Sequence, residues 1–267
     1  MSRVASRLGA FALVLAGTFA TAYAVGEKLP GHSHAGGGHA DTHAGMDMGG
    51  PVTAGVEDGG YQLVTEHVLP GVATFHLNDS DGTPVTQFTE AHGAILHTIV
   101  IRPDLSNFHH VHPIIRPGGS WDVALPAAGP WHVVFDSTPV GASGPIVVSA
   151  NLDDETPVAT VATVALPAPQ DTVEVDGLII TRVGFTFTLS AADGGQVSGL
   201  EPYLGQSAHL VAMREGDLAY AHLHPSGEMS GMFMFGSGIT EPGTYRLFLQ
   251  FGHNGTVLTV PFTVVIS

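Results

Sequence analysis

The chain has 267 residues, 44% of them hydrophobic and 12% charged, which is enough for two cores of ordinary domain size. The formal net charge of −16 leaves no basic surface patch that could bind an anionic partner. Nucleic acid and anionic membrane surfaces are therefore disfavoured as partners. The chain has no cysteine, so it forms no disulfides, and soft-metal chemistry would have to use methionine or histidine, the latter present 16 times.

Residues 1–25 have the order of an export segment. Arg3 and Arg7 precede an uncharged apolar run, 8–25, and residues 22–24 (Ala-Tyr-Ala) offer a small-x-small cleavage site. This order predicts a secretory signal peptide. The run approaches the ~20 residues that span a bilayer, which leaves an uncleaved membrane anchor as the alternative. Either outcome predicts an extracytoplasmic protein, secreted or anchored to the outer face of the cytoplasmic membrane, that meets the membrane only through this segment.

The next stretch, 26–59, predicts a disordered tether, because it is rich in glycine and poor in large apolar residues. Short histidine-rich tracts are a compositional signal of metal binding, and thioethers add a preference for Cu(I). The candidate ligands of the tether are His32, His34, His39, His43, Met46 and Met48. A plain spacer is the alternative interpretation.

An internal repeat divides the remainder. Shifting the sequence by 112 residues aligns 75–113 with 187–225 without a gap, and 11 of the 39 positions are identical. All three histidines of the second stretch have a counterpart in the first, as His97/His209, His110/His222 and His112/His224. The match indicates duplication of one domain.

Within each repeat the apolar residues alternate, and turn signals recur about every 8–12 residues, as in sandwiches of roughly seven strands. The sequence therefore predicts an all-β protein with two tandem immunoglobulin-like β-sandwiches, at 60–152 and 171–267. They would follow the hydrophobic N-terminal helix and the tether, with 153–170 as the linker between them. Trp121 and Trp131 are predicted to be core aromatics.

Each repeat carries the pattern His-x12-His-x-His-Pro. Residues two apart on a strand share a face, so the last two histidines of each pattern are neighbours. If residues 103–106 and 215–218 are four-residue hairpin loops, Arg102 pairs with Asn107, His97 lies opposite His112, and His209 lies opposite His224. Opposed Cβ atoms are ~4.5–5.5 Å apart. Three imidazoles would then converge within each domain.

Three close, uncharged imidazoles suit Zn(II) or Cu(II) with an open fourth position. The predicted metal ligands of the folded part are His97, His110, His112, His209, His222 and His224. Packed histidines that bind nothing are the alternative. The second repeat also has methionines, at 213, 229, 232 and 234, which predict core packing or a Cu(I) thioether platform.

Two aspartates and one pair of matched arginines lie in or beside the hairpin loops. Asp104 and Asp217 lie within the loops and are predicted to be turn formers. Arg102 and Arg214 lie at strand ends and are predicted to pair with carboxylates in a structural role.

The segments His-His-Val-His-Pro (109–113), Ala-His-Leu-His-Pro (221–225) and Gly-Thr-Tyr-Arg-Leu-Phe-Leu-Gln-Phe (243–251) give the chain a resemblance to a known group. It resembles secreted bacterial two-domain proteins with immunoglobulin-like or cupredoxin-like β-sandwiches, some of them labelled heavy-metal-associated. The resemblance covers both predicted domains and implies extracytoplasmic handling of a metal, copper above all. The lack of the cysteine ligand of electron-transfer cupredoxins disfavours a blue-copper redox role.

Three functions follow from these observations. The first is capture or buffering of a metal ion, copper or zinc, and the second is an immunoglobulin-like interaction or adhesion module with structural histidines. The third is a His-ligated metal hydrolase or oxidase, for which no acid or base is tied to the histidines. No hydrolase, phosphate-loop or dinucleotide motif is present, so the chain is predicted not to be an enzyme.

Overall fold

The computed structural model describes residues 50–152, 163–236 and 238–267. Throughout these residues the regular structure consists of antiparallel β-strands, which confirms the all-β prediction. Within the same ranges, no helix has the length and apolar character needed to cross a bilayer. The predicted export segment, 1–25, and the six predicted tether ligands lie outside the described residues.

Two sheets form the first sandwich. Its strands are β1 (Glu57–Asp58), β2 (Tyr61–Leu69), β3 (Val72–Asn78), β4 (Phe88–Thr89), β5 (Leu96–Ile101), β6 (His109–Val111), β7 (Trp121–Ala124), β8 (Trp131–Pro139) and β9 (Ile146–Leu152). One sheet has the order β1-β2-β3-β7, and the other has the order β4-β8-β5-β6 with β9 paired to β8. Apolar residues from both sheets, with Trp121 and Trp131 as predicted, form one buried core.

The second sandwich repeats this arrangement. Its strands are β10 (Thr172–Val175), β11 (Leu178–Val183), β12 (Thr186–Ala191), β13 (Leu200–Glu201), β14 (His209–Arg214), β15 (Tyr220–Leu223), β16 (Pro225–Met229), β17 (Met232–Phe235), β18 (Gly243–His253) and β19 (Thr256–Ile266). One sheet has the order β10-β11-β12-β17-β16, and the other has β13-β18-β14-β15 with β19 paired to β18. The central order β9-β8-β5-β6 thus recurs as β19-β18-β14-β15, in the sandwich architecture of immunoglobulin-like domains.

The predicted hairpin register is confirmed. Thr98 pairs with Val111 on β5 and β6, and Leu210 pairs with Leu223 on β14 and β15. Continued by one residue, this register sets His97 opposite His112 and His209 opposite His224. Asp104 shapes its loop as predicted, because its Oδ1 accepts hydrogen bonds from the Ser106 backbone and hydroxyl.

The two matched arginines differ in their partners. Arg214 forms the predicted carboxylate pairs, with Asp217 at 2.7 Å and Glu241 at 2.6 Å. Arg102 does not. Its guanidinium lies 3.9 Å from the ring centroid of Trp131 and donates to two backbone carbonyls, because its buried site offers an aromatic face and carbonyl oxygens in place of an acid.

The predicted tether extends too far, because residues before 60 take part in the fold. Val52 exchanges two backbone hydrogen bonds with Tyr220, of 2.9 and 2.8 Å, and thereby covers the free edge of β15. Ser149 donates to the carbonyls of Ala54 and Gly55. Composition did not reveal this pairing, since backbone groups at an open strand edge accept partners of any sequence.

The two sandwiches face each other through the sheets that contain β5 and β14. On β5 and β14, every second side chain packs in the core of its own sandwich. The side chains between them contact the other sandwich. The shared apolar contact includes Ile99, Ile101, Val211, Met213 and Phe248. The histidines of both hairpins project from this same face, so the contact between the sandwiches decides where they lie.

Candidate metal centre

Six histidines lie together where the two sandwiches meet. This interface histidine cluster consists of His97, His110, His112, His209, His222 and His224. The ring centroids of His97 and His110 lie 5.0 and 5.1 Å from that of His222, across the interface. Each hairpin brings its own three histidines together, as predicted. The sequence did not predict that the two triads meet, which they do because the faces that carry them pack against each other.

Two sets of three imidazoles have ring nitrogens within 4.8 Å of one another and could hold a metal ion. One set is His209, His222 and His224, the triad predicted for the second domain. The other is His97, His110 and His222, which takes its third member from the opposite sandwich. His112 joins this set through its Nε2, which lies 3.2 Å from Nδ1 of His97.

In the first sandwich, backbone and side-chain partners fix which ring nitrogens are free. His97 Nε2 lies 3.0 Å from the carbonyl oxygen of Ala91, so it carries the proton and leaves Nδ1 with a lone pair. His110 Nδ1 lies 2.8 Å from Gln250 Oε1 and donates to it, which leaves Nε2 with a lone pair. These two free nitrogens, His97 Nδ1 and His110 Nε2, are 3.3 Å apart.

The second sandwich repeats the arrangement. His209 Nε2 donates to the carbonyl of Tyr203 at 2.9 Å, and the free Nδ1 lies 3.1 Å from Nε2 of His222. Nδ1 of His222 faces Asp136 Oδ2 at 3.6 Å. His224 Nε2 is buried and has no hydrogen-bond partner among the described residues. A buried ring nitrogen without a partner is uncommon, and here it adds a third free ligand atom.

Sequence reasoning missed Asp136 and Gln250. They occupy equivalent positions: Asp136 on β8 pairs with His97, and Gln250 on β18 pairs with His209. Each then reaches the middle histidine of the opposite sandwich. The available signal was a polar residue within a long apolar strand, flanked by Phe135 in the first case and by Leu249 in the second.

His92 was also missed. Its ring stacks on His224 with centroids 3.6 Å apart, and its Nδ1 lies 3.2 Å from Nε2 of Gln206. His92 has no histidine at its repeat-matched position, which is Leu204, so the repeat gave no reason to single it out. His92 therefore adds a seventh imidazole beside the six of the interface histidine cluster.

Burial keeps the cluster uncharged. Loss of solvent, and then the neighbouring imidazoles, lower the pKa of His110 and His222 well below the usual value. The pKa of His112 falls to about 4 for the same reasons, and burial lowers that of His209 to about 4. Burial has the opposite effect on an acid and raises the pKa of Asp136 to about 6. Near neutral pH the imidazoles are neutral, which is the state that ligates metals.

The spacing of the free nitrogens also suits a metal. Zinc and similar ions bind imidazole nitrogen at about 2.0–2.1 Å, which places two tetrahedral ligands about 3.3 Å apart. The opposed nitrogens in the two halves are 3.3 and 3.1 Å apart. The residues present therefore fit a transition-metal ion by atom type, protonation and distance.

The methionines of the second repeat have different environments. Met213 is fully buried in the apolar contact between the sandwiches, in line with core packing. Met232 and Met234 share one face of β17, while Phe233 and Phe235 enter the core. Met229 is 67% exposed.

The second sandwich is similar to a known domain family. A family model described as a domain of unknown function, DUF8832, matches residues 171–267. No curated protein matches the chain. Among solved structures, the chain is similar to the crystal structure of the chicken CNTN1 FN1–FN3 domains, at 9% identity and a TM-score of 0.24. The match covers 76% of this chain and 64% of that one, less than two thirds of its length.

Proposed function

We propose that the protein binds a transition-metal ion, copper or zinc, outside the cytoplasm, and that it serves in capture or buffering of that ion. The main observation behind this proposal is that two ring nitrogens with free lone pairs face each other. His97 Nδ1 lies 3.3 Å from His110 Nε2. The N–H group of each ring donates to another partner: His97 to the Ala91 carbonyl and His110 to the Gln250 side chain.

Two facing lone pairs repel each other, and a positive charge between them removes the repulsion. His112 Nε2, 3.2 Å from His97 Nδ1, can donate to that nitrogen but leaves His110 Nε2 without a donor. A proton could supply that charge, but burial lowers the pKa of both His97 and His110, so protonation is disfavoured at neutral pH. A metal cation supplies the charge and uses both lone pairs as ligands. The free Nε2 of His224 in the other half supports the same conclusion.

Copper is the preferred ion in this proposal. Sites of imidazole nitrogen bind divalent copper more tightly than divalent zinc, following the general order of affinities in this series. The proposed centre lies within the part of the chain expected to be exported. The histidines and methionines of the predicted tether, 26–59, would add weaker sites on the same chain.

The test needs the full chain with the tether ligands removed, so that only the cluster binds. In that background His32, His34, His39, His43, Met46 and Met48 are replaced by serine. Calorimetric titration with Cu(II) and Zn(II) should show binding of at least one ion per chain. The double variant His222→Gln and His224→Gln should weaken that binding at least about tenfold, because both sets of ligands contain His222. Only the cluster histidines His97, His110 and His112 of the first sandwich, with His209, then remain as ligands.

Glutamine is preferable to alanine at these positions, because His222 is only 2% exposed and truncation would leave a cavity. The matched control is His67→Gln with His76→Gln, two histidines on the other sheet of the first sandwich. This control should bind as the parent does. Binding as tight as the parent's after the 222/224 substitutions would contradict the proposal.

A second candidate function is an immunoglobulin-like interaction module. The strand order of both sandwiches supports it, since this architecture recurs in cell-surface proteins. On this alternative the histidines hold the two sandwiches together and bind no ion. A parent protein that takes up neither copper nor zinc would favour the interaction module over the metal-binding role.

A further inference from the structure

We infer that Asp136 is a positioning residue for the proposed metal ion, supplied by the first sandwich to His222 of the second, and that its charge makes the centre favour divalent over monovalent ions. The inference rests on the proposed function. Asp136 is not itself a ligand, but its charge determines whether the site prefers a divalent or a monovalent ion.

The contacts of Asp136 place it against both halves of the cluster. On its own sheet it pairs with His97, and across the interface its Oδ2 lies 3.6 Å from Nδ1 of His222. The hydroxyl of Tyr220 lies 3.5 Å from the same oxygen. The side chain of Asp136 is 13% exposed, so its charge acts in surroundings that screen it weakly. Among the described residues it is the one carboxylate paired with a cluster histidine.

Gln250 provides an internal comparison. It pairs with His209 and accepts a hydrogen bond from His110 Nδ1 at 2.8 Å, which orients that ring. Asp136 lies 3.6 Å from the corresponding nitrogen of His222, beyond hydrogen-bond distance, and acts on it through its charge. The Nε2 of Gln250 donates to Thr259 at 3.0 Å, which fixes the direction of its amide. The two positions therefore share their place in the sheet and differ in charge.

The charge matters because imidazoles are neutral ligands. An ion held by neutral ligands alone keeps its full charge in a partly dry interface, which is unfavourable. A carboxylate behind a ligating histidine offsets that charge and makes the ring a stronger ligand. Coulombic attraction is proportional to the charge of the ion, so the carboxylate stabilises a divalent ion about twice as strongly as a monovalent one.

The substitution Asp136→Asn tests this, because asparagine keeps an oxygen that can accept from His222 and removes the charge. Zn(II) and Cu(I) are suitable probes, since both have a filled d shell and impose little geometry of their own. In the chain without tether ligands, D136N should weaken Zn(II) binding about 10–100-fold, the usual effect of losing such a partner. Cu(I) binding, measured without oxygen against a competing chelator, should weaken only about 3–10-fold, the square root of that factor.

Two further variants separate charge from structure. Gln250→Glu adds a carboxylate at the equivalent position and should strengthen Zn(II) binding more than Cu(I) binding. Tyr220→Phe removes the other partner of Asp136 and should leave the ratio of the two affinities unchanged. If D136N weakens both ions by the same factor, or neither, the inference is wrong while metal binding itself stands. If the parent binds no ion, the proposed function and this inference both fail.

Discussion

The ring of Phe108 in the first sandwich stacks on Phe248 of the second, with centroids 3.9 Å apart and ring planes inclined by 10°. At the positions equivalent by duplication, Tyr220 and Val134 also meet in the apolar contact between the sandwiches. The contact is thus reciprocal, with each sandwich presenting the same strands to the other. It holds the two histidine hairpins at the distances described for the metal centre.

Replacement of Phe248 by alanine should destabilise the protein by about 3 kcal/mol, the lower end of the range for buried Phe→Ala changes. Phe248 is 4% exposed and packs in the apolar contact between the sandwiches, so the substitution removes packing from that contact. Urea denaturation measures the change. The control Val265→Ala, at a residue 61% exposed, should stay within about 0.5 kcal/mol of the parent. A loss below 1 kcal/mol for F248A would mean that the stack contributes little.

A pair of matched glycines tests the close approach of the two sandwiches. Gly93 has φ +75° and Gly205 has φ +72°, so alanine is strained at both, at a cost of about 1 kcal/mol. A Cβ on Gly93 would lie 3.0 Å from the backbone carbon of Leu204, whereas a Cβ on Gly205 meets nothing within 4 Å.

Gly93→Ala should therefore cost more than Gly205→Ala, by at least about 1 kcal/mol, because only the first forces the sandwiches apart. Urea denaturation of both variants gives the difference. G93A should also weaken metal binding, since His92 and His97 flank the displaced turn. Equal costs for the two variants would show that the turns at 91–94 and 203–206 do not press together in solution.

Without metal, the protein should lose stability as the pH falls from about 6.5 to about 4. The pKa of His112 and that of His209 are lowered to about 4 in the folded chain, against about 6.5 when unfolded. Between these values the unfolded chain binds more protons, so the free energy of unfolding falls with pH, by up to about 1.4 kcal/mol per pH unit for each such histidine. Above about pH 6.5 this effect vanishes, because the histidines are neutral in both states. Below about pH 6, Asp136 opposes it in part, because burial raises its pKa to about 6 and the folded chain then binds that proton more tightly than the unfolded chain.

Urea denaturation in the presence of a chelator, at pH 7.5, 6.0 and 5.0, measures this dependence. His112→Gln removes one of the titrating groups and should flatten the slope. The same lowered pKa values mean that protons compete weakly for the ligands, so a bound ion should remain until the pH is well below 6.5. Unfolding energies that do not change between pH 7.5 and 5.0 would rule out buried neutral imidazoles.

Removal of the metal should lower the melting temperature. An ion present at about 100 times its dissociation constant stabilises the folded state by about 2.7 kcal/mol, provided that it does not bind the unfolded chain. For a folded protein of this size, that stabilisation raises the melting temperature by roughly 5–10 °C. Differential scanning fluorimetry with Zn(II) and then with excess chelator should show this shift. The variant with glutamine at 222 and 224 should show a smaller shift than the parent, because its ligand sets have lost His222.

The local structure could be predicted from the sequence because it depends on neighbouring residues. Alternating apolar residues and four-residue loops determine the strands and the register that sets His97 opposite His112. The joining of the two triads depends on contacts between sheets, which no short-range pattern encodes. One signal was nevertheless present: β5, Leu-His-Thr-Ile-Val-Ile, and β14, His-Leu-Val-Ala-Met-Arg, lack the polar alternation of a solvent-facing strand, as expected when both faces are covered.

Asp136 and Gln250 show what separates this protein from an ordinary dimer of two sandwiches. In a homodimer related by two-fold symmetry, one gene specifies both subunits, so the residue at a given position is the same on each side of the axis. Duplication within one chain removes that constraint and lets the two copies diverge. A carboxylate can then stand on one side of the centre and an amide on the other, an asymmetric pairing that a symmetric homodimer cannot encode.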